Sequence, residues 1–334
     1  MKKVGLLGGS FDPIHLGHVG IAQAAIAQLA LDEVWFIVAF QTNLKDELSA
    51  GFFERLAMVE IAIAGDSHLK VCDVEKNLPV PSYTINTMEV LIKQYPEVNF
   101  TFLIGSDQAE QLDKWHRFDE LLKMVEFKII SRDGKPGDVH LSADQYPQSS
   151  TAIRAGKVEY ADPLVWQYIL KHRLYLKNIV AGQLTEKRFA HVLAVLNTAL
   201  ALAAHYNYDA SLCYFAALFH DIAKELDKNL MKAYLSAQER QSPKGIWHQF
   251  VSAKITRDYY RINDEAVFQA IYHHTTGDCT ELLAMIIFCA DKVEPTRDYD
   301  SGDLLALCFQ DLPLAFKTIK EQQESFVKKK RVNQ

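Results

Sequence analysis

Apolar residues fall along this chain in two rhythms, and the change between them divides it near the middle. In the first half, short apolar runs alternate with longer stretches of helical period. Residues 4–7 meet glycines at once and are followed by 19–29, which predicts a strand, a loop and a helix. The alternation continues with strands at 34–39, 69–72, 100–104 and 127–131 and helices at 53–64, 84–94 and 119–124. Strands separated by helices predict an α/β doubly wound parallel sheet, which binds ligands at the carboxyl ends of its strands. After residue 176 the strand signals stop. Only helical periodicity remains, over 188–206, 210–224, 228–237, 248–260, 264–274, 281–292 and 312–328, so the second half is expected to be all-α. Domains are expected at 1–177 and 184–328, with residues 177–186, which include Gly182, as linker.

Composition narrows the picture. In a chain of 334 residues each half is long enough to bury its own core. The net charge is −6 and neither half is basic, which argues against a nucleic-acid surface. Five cysteines are scattered without a C-x-x-C pair, a pattern that suits a reducing cytoplasm better than a disulfide framework. The longest unbroken apolar run, 282–290, is about half of a membrane span, and the amino-terminal residues reach glycines before a signal core develops. A soluble, unprocessed cytoplasmic protein is expected, with no nucleic-acid or membrane partner; oligomeric state is not legible.

The first candidate site is the string G-S-F-D-P-I-H-L-G-H at residues 9–18. Gly8 and Gly9 permit a tight turn and close approach to a phosphate, and the helix that follows offers unpaired N–H groups and a positive dipole end. His15 and His18, three residues apart at the helix entry, share a face and suit a triphosphate whose oxygens gain charge in the transition state. Two capping or packing histidines are the alternative. Ser149, Ser150 and Thr151 before Arg154 offer hydroxyls and N–H groups at a helix start, followed by a forked cation for a leaving pyrophosphate.

The string at 9–18, with Ser10 and Phe11 in its loop, resembles the signature of the adenylyltransferases that have paired histidines in H-x-G-H, and Ser149-Ser150-Thr151-Ala152-Ile153-Arg154 resembles their second motif. Residues 1–176 look like bacterial nicotinate-mononucleotide adenylyltransferase, through Pro81-Ser82-Tyr83-Thr84, Gly105-Ser106-Asp107, Trp115 and Arg132. The resemblance implies that Tyr83, Thr84, Gly105, Asp107 and Trp115 surround the nicotinate nucleotide. Trp115 would stack on the pyridine ring, a core aromatic being the alternative. It also implies ATP with Mg2+ and nicotinate mononucleotide as substrates, and deamido-NAD and pyrophosphate as products. The family usually has P-P-H-K after its second strand; this chain reads Gln41-Thr42-Asn43-Leu44-Lys45 and keeps only Lys45. That departure bears on acceptor specificity.

The second site lies in the helical half. His220-Asp221 sits in the apolar stretch 215–224, where two adjacent polar side chains need partners and metal coordination would supply them. With His191 and Asp291 on neighbouring helices, the set suits a divalent metal. His248 and His274 would complete a second position, with Asp221 suited to bridge and to act catalytically. Residues 187–325 resemble the HD superfamily, and within it the bacterial symmetrical diadenosine-tetraphosphate hydrolases often called YqeK. The motifs are Arg188-Phe189-Ala190-His191, Leu218-Phe219-His220-Asp221-Ile222-Ala223-Lys224-Glu225, His274-Thr275-Thr276-Gly277, and Ala290-Asp291 followed by Glu294-Pro295 and Arg297. The resemblance implies two iron ions, with manganese or zinc as substitutes, and cleavage of diadenosine tetraphosphate into two ADP. Lys224, Thr275, Thr276 and Arg297 would hold substrate phosphates. Trp247-His248-Gln249 departs from the family, which more often has glycine-proline after the histidine. Two other readings stand beside the bifunctional enzyme: a first domain that only binds nucleotide beside an active hydrolase, and an HD half that senses a nucleotide without cleaving it.

Overall fold

A computed structural model describes residues 1–41, 49–132, 136–141, 148–296 and 302–332. Lys45 and Arg297 lie outside the described residues, as do the side chains of Asp107 and Arg132. The chain splits into two compact units, Met1–Leu176 and Lys177–Gln334.

In the first unit the strands are β1 (Lys2–Gly9), β2 (Glu33–Val38), β3 (Leu69–Cys72), β4 (Val98–Gly105), β5 (Glu126–Arg132) and β6 (Val139–Leu141). They form one parallel sheet in the order β3-β2-β1-β4-β5-β6. Residues 4–7 of β1 and 100–104 of β4 are buried throughout, as expected for central strands covered on both faces. The helices are α1 (Leu16–Leu29), α2 (Phe52–Ile63), α3 (Thr84–Gln94), α4 (Ser106–Ala109), α5 (Phe118–Met124), α6 (Ser150–Arg154) and α7 (Pro163–His172); α8 (Leu176–Ala181) begins at the last residue of this unit and otherwise belongs to the second. Strand order reverses between β1 and β4, so Gly8-Gly9 and Gly105 end at the topological switch point.

Sequence pattern missed β6, a three-residue edge strand too short for a period, and α7. The latter carries recognisable start signals, with Asp162 accepting from the N–H groups of Leu164 (2.7 Å) and Val165 (3.3 Å), and Pro163 in the first turn. The expected linker 177–186 is helical in its first part, where α8 runs to Ala181.

The second unit contains only helices among its described residues: α9 (Glu186–His205), α10 (Ala210–Phe219), α11 (Lys228–Tyr234), α12 (Trp247–Lys254), α13 (Glu265–His273), α14 (Leu282–Val293), α15 (Gly302–Gln310) and α16 (Leu312–Val332), with short 3-10 and π turns between some of them. By length and mean hydropathy (1.2) α9 resembles a membrane-crossing helix. It packs against α10 and α14, burying Val192, Val195, Leu196, Ala199 and Leu202, as a core helix does.

Two expected helices end early. The segment 210–224 stops at Phe219: His220 Nδ1 donates to the Ala217 carbonyl (2.6 Å), and the chain goes on in tight turns closed by the Ile222 N–H on Phe219 O (3.2 Å) and the Lys224 N–H on Asp221 O (2.8 Å). The segment 248–260 leaves α-geometry at Lys254 and continues as a π turn, Ile255–Tyr259, closed by the Tyr260 N–H on Ile255 O (3.0 Å).

Candidate functional site

At the carboxyl ends of β1, β2 and β4 lies a cavity of about 500 Å3, lined by Gly8, Gly9, Ser10, Tyr83, Thr84 and Trp115 among others. Both glycines leave little room for a side chain. A Cβ on Gly9 would stand 2.9 Å from the ring of Phe11, and one on Gly8 3.2 Å from Phe102. Phe11 itself holds a left-handed backbone (φ 47°), is buried, and packs edge-on to His18 with ring centroids 5.0 Å apart.

His15 is the N-cap of α1 and His18 lies in its first turn; their rings stack at 3.7 Å and 25°. His18 Nδ1 accepts the His15 N–H (3.3 Å), which leaves the ring proton on Nε2, the atom able to donate to a phosphate oxygen. The capping role and the chemical role therefore coexist in one side chain. Gly17 makes the stack possible, since a Cβ there would stand 3.0 Å from His15 Nδ1 and 3.1 Å from its Cε1.

The second motif is tied to the first through backbone. Ser149 caps α6 by accepting from the Ala152 N–H (3.1 Å), Ser150 donates to Pro13 O (2.8 Å), and Arg154 donates to Asp12 O and to Thr151 Oγ1 (3.3 Å). Gly105 ends β4 and caps α4. Trp115 both lines the cavity and packs on Phe102 and Phe127, at 5.9 and 6.1 Å, so the cavity and core readings hold together.

Three buried residues that the sequence reading passed over fix these loops. The Asp12 carboxylate accepts from the N–H groups of Ser49 (2.9 Å) and Ala50 (3.2 Å) and from Tyr175 Oη (2.7 Å). Arg55 donates to the carbonyls of Ser10 (2.6 Å), Ala39 (2.8 Å) and Ala50 (3.2 Å). Glu75, whose burial raises its pKa, accepts from Phe40 N–H (3.1 Å) and Thr87 Oγ1 (3.2 Å). Arg55 stands among apolar residues in Phe52-Phe53-Glu54-Arg55-Leu56-Ala57-Met58, but the adjacent Glu54 makes it read as one of a pair of surface charges, so the sequence alone gives no sign of its burial.

In the second unit the six expected ligands converge. His191, His220 and Asp291 form one group and Asp221, His248 and His274 another, all buried, with the ligand atoms of each group within 4.8 Å of one another. Asp221 faces both. Its Oδ2 lies 3.9 Å from His191 Nε2 and 3.8 Å from His220 Nε2, and its Oδ1 lies 3.3 Å from His248 Nε2 and 3.4 Å from His274 Nε2.

Every imidazole is oriented by its other nitrogen. Nδ1 of His220, His248 and His274 donates to the carbonyls of Ala217 (2.6 Å), Gly245 (3.0 Å) and Ile271 (2.7 Å), and Nδ1 of His191 meets Glu294 Oε1 at 2.9 Å. Carbonyls and carboxylates only accept, so each Nδ1 carries a proton, and His220 and His248 present Nε2 toward the Asp221 carboxylate. Burial pushes His220 down to about 4 and His248 well below its ordinary value, which keeps both rings neutral. Burial also works to raise Asp221, but His220, His274 and Lys224 outweigh it and hold the carboxyl well below 3.8. Acceptors aimed at acceptors repel unless a cation stands between them. His220 Nε2 is fully buried with no hydrogen-bond partner among the described residues. The donor set fits two divalent metals.

Around this centre Lys224 Nζ lies 2.9 Å from His248 Nε2, and Thr275 Oγ1 lies 3.1 Å from the Nε2 atoms of both His248 and His274. Thr276 is fixed through its backbone, its N–H donating to Gln249 Oε1 (3.3 Å). Arg188 Nη1 is 3.2 Å from Asp221 Oδ2 and Lys292 Nζ 2.6 Å from Asp291 Oδ2. Arg188 and Glu294 entered the sequence reading as motif residues and Gln249 as a departure from the family, but none of them, nor Lys292, was given a role there, although each lies within three residues of a ligand. His205 packs edge-on to Tyr206 and Phe309, in neither metal group.

Fold and side chains define the class: a nucleotidyltransferase-like α/β unit followed by a helical metal-binding unit of HD type. The chain matches the cytidylyltransferase-like family over residues 6–156 and the HD domain over residues 188–296. HD domains bind divalent metal, in keeping with the two His/Asp groups. A Mycoplasma pneumoniae protein named probable nicotinate-nucleotide adenylyltransferase/Ap4A hydrolase is 31% identical over 332 residues, covering 93% of this chain and 96% of its own. The chain belongs to this two-domain family. Its first half is also 42% identical over 187 residues to a probable nicotinate-nucleotide adenylyltransferase of Bacillus pumilus, covering 52% of this chain and 99% of that protein. A solved structure of a predicted HD superfamily hydrolase involved in NAD metabolism, from Clostridium acetobutylicum, is 31% identical, with a TM-score of 0.44 over 46% of this chain and 86% of its own.

Proposed function

We propose that the chain is a bifunctional nucleotide enzyme. Its domain at 1–177 transfers an adenylyl group from ATP, as the Mg2+ complex, to nicotinate mononucleotide; its domain at 184–328 hydrolyses diadenosine tetraphosphate symmetrically. The observation that carries this reading is that one chain holds both the H-x-G-H stack beside the Ser149–Arg154 motif and the six-residue His/Asp centre.

In the first reaction a phosphate oxygen of nicotinate mononucleotide attacks the α-phosphorus of ATP. The bond to the β-phosphate breaks, and deamido-NAD and pyrophosphate form. The backbone of Gly8-Gly9-Ser10-Phe11 cradles the triphosphate. His15, His18 and Arg154 donate to oxygens as their charge grows, and Ser149, Ser150 and Thr151 hold the leaving group. Tyr83, Thr84, Gly105, Asp107 and Trp115 enclose the acceptor, with Lys45 and Arg132 contributing charge.

In the second reaction water adds to an inner phosphorus, the central P–O bond breaks, and the two halves leave as ADP. Bound divalent ions, iron in our reading with manganese or zinc able to substitute, supply Lewis acidity and lower the pKa of water. His191, His220, Asp221, His248, His274 and Asp291 hold them. Lys224, Thr275, Thr276 and Arg297 hold the phosphate chain. The five cysteines, all free, fit a reducing compartment such as the cytoplasm.

The test is to incubate chelator-free protein with diadenosine tetraphosphate and, separately, with ATP plus nicotinate mononucleotide. His220→Ala should abolish only ADP formation, and His18→Ala only deamido-NAD formation. Hydrolysis without deamido-NAD from the unsubstituted protein would overturn the first assignment.

A further inference from the structure

Gln249 follows directly after the ligand His248 and is 1% exposed. Its Oε1 accepts from two successive backbone N–H groups, those of Thr275 (3.0 Å) and Thr276 (3.3 Å). These belong to the segment after α13 that carries His274 and the Thr275 hydroxyl, which faces both imidazoles.

The rest of that segment is held from elsewhere. The carbonyls of His274, Thr275 and Gly277 accept from Lys292 (3.0 Å), Gln323 (2.9 Å) and Lys320 (2.8 Å), on α14 and α16. For the two amides, Gln249 is the one acceptor among the described residues. It therefore ties α12, which carries His248, to the segment that carries His274. A carbonyl oxygen has two lone pairs, so one side chain fixes both amides at once.

We propose that Gln249 is the positioning residue of the group formed by Asp221, His248 and His274. It sets the spacing of the two Nε2 atoms opposite Asp221 Oδ1 and holds Thr275 and Thr276 toward the substrate's phosphates. It has no direct part in the group formed by His191, His220 and Asp291, which lie on α9, at the end of α10 and on α14. This role rests on the reading of the second unit as a two-metal hydrolase, and it predicts selectivity: loss of the Gln249 oxygen weakens one metal and spares the other.

The experiment uses the full chain, stripped with chelator and titrated with Mn2+, alongside amide hydrogen exchange at Thr275 and Thr276. Gln249→Met keeps the side-chain length without the acceptor. We expect exchange at both amides to quicken about tenfold or more. One of two Mn2+ equivalents should weaken about 10- to 100-fold, the usual cost of losing an outer-shell partner, with the other within about twofold. Gln249→Glu, which keeps an acceptor at the same reach, should return both readouts to near the unsubstituted protein. If Gln249→Met does not fold, Gln249→Asn, one methylene short, should show the same selective loss. Unchanged exchange, equal weakening of both equivalents, or failure of Gln249→Glu to rescue would overturn the proposal. Fewer than two equivalents in the unsubstituted protein would instead count against the two-metal reading, with the exchange data still deciding the role of Gln249.

Discussion

Replacing Glu294 with Gln isolates a single interaction at the metal centre. Glu294 is 1% exposed, its Oε1 lies 2.9 Å from His191 Nδ1, and its Oε2 accepts the Thr296 N–H at 2.6 Å. It thereby fixes the tautomer of His191 and makes Nε2 a stronger base toward a cation. A hydrogen bond to a charged group contributes about 1.5–3 kcal/mol, and a neutral one about 0.5–1.5. Glutamine keeps the shape and an acceptor but loses the charge, so about 1–1.5 kcal/mol should disappear, or roughly tenfold in metal affinity. Glu294→Ala removes the orienting partner as well and should cost up to about 100-fold. The assay is Mn2+ titration of stripped protein, with diadenosine-tetraphosphate hydrolysis followed at each metal concentration. Only one of two equivalents should weaken, and excess Mn2+ should restore the turnover of the Gln variant because all six ligands remain. Retention of full affinity by Glu294→Ala would refute the reasoning. Combined with Gln249→Met, Glu294→Gln should weaken both equivalents, since the two changes act on different groups.

Two further predictions concern other parts of the chain. Gly17→Ala places a Cβ 3.0 Å from His15 Nδ1 and 3.3 Å from Gln148 Oε1, which pushes the His15 ring and shifts the histidine stack. Formation of deamido-NAD should fall about 10- to 100-fold while hydrolysis is unchanged, and undiminished synthesis would remove the stack from the mechanism. Burial opposes ionisation of Glu239, but Lys254 (2.6 Å), the Ser236 N–H (2.6 Å) and Tyr272 (2.8 Å) outweigh it and hold the carboxyl down at about 2, against an ordinary 4.5. Its contribution is therefore complete above about pH 4.5 and is lost as pH falls toward 2. Urea unfolding of Glu239→Gln should give a flatter dependence of stability on pH across that interval, and an unchanged slope would show that other carboxylates dominate.

The sequence by itself determined the two-part architecture, because a buried parallel sheet and an all-helical unit impose different periods on the apolar residues. Both chemistries were legible through resemblance to family motifs, H-x-G-H with Ser149–Arg154 and the spaced His/Asp set, since paired histidines or an H-D dipeptide taken alone also serve as caps and packed residues. Tertiary structure decided what depends on neighbours distant in sequence. Nothing local says that His220-Asp221 follows a helix rather than continuing it, since the tight turns after Phe219 and the bond from His220 Nδ1 to Ala217 O are invisible in an apolar pattern. Asp12 meets Tyr175 across 163 positions and His191 meets Glu294 across 103. Such pairs follow from chain topology, not from periodicity. The same holds for Gln249. From sequence it is only a departure from a family pattern, whereas in the fold its one oxygen joins the segments that carry His248 and His274. Ligand identity is written in residue type, while ligand orientation is set by packing and by hydrogen-bond partners that only the folded chain brings together.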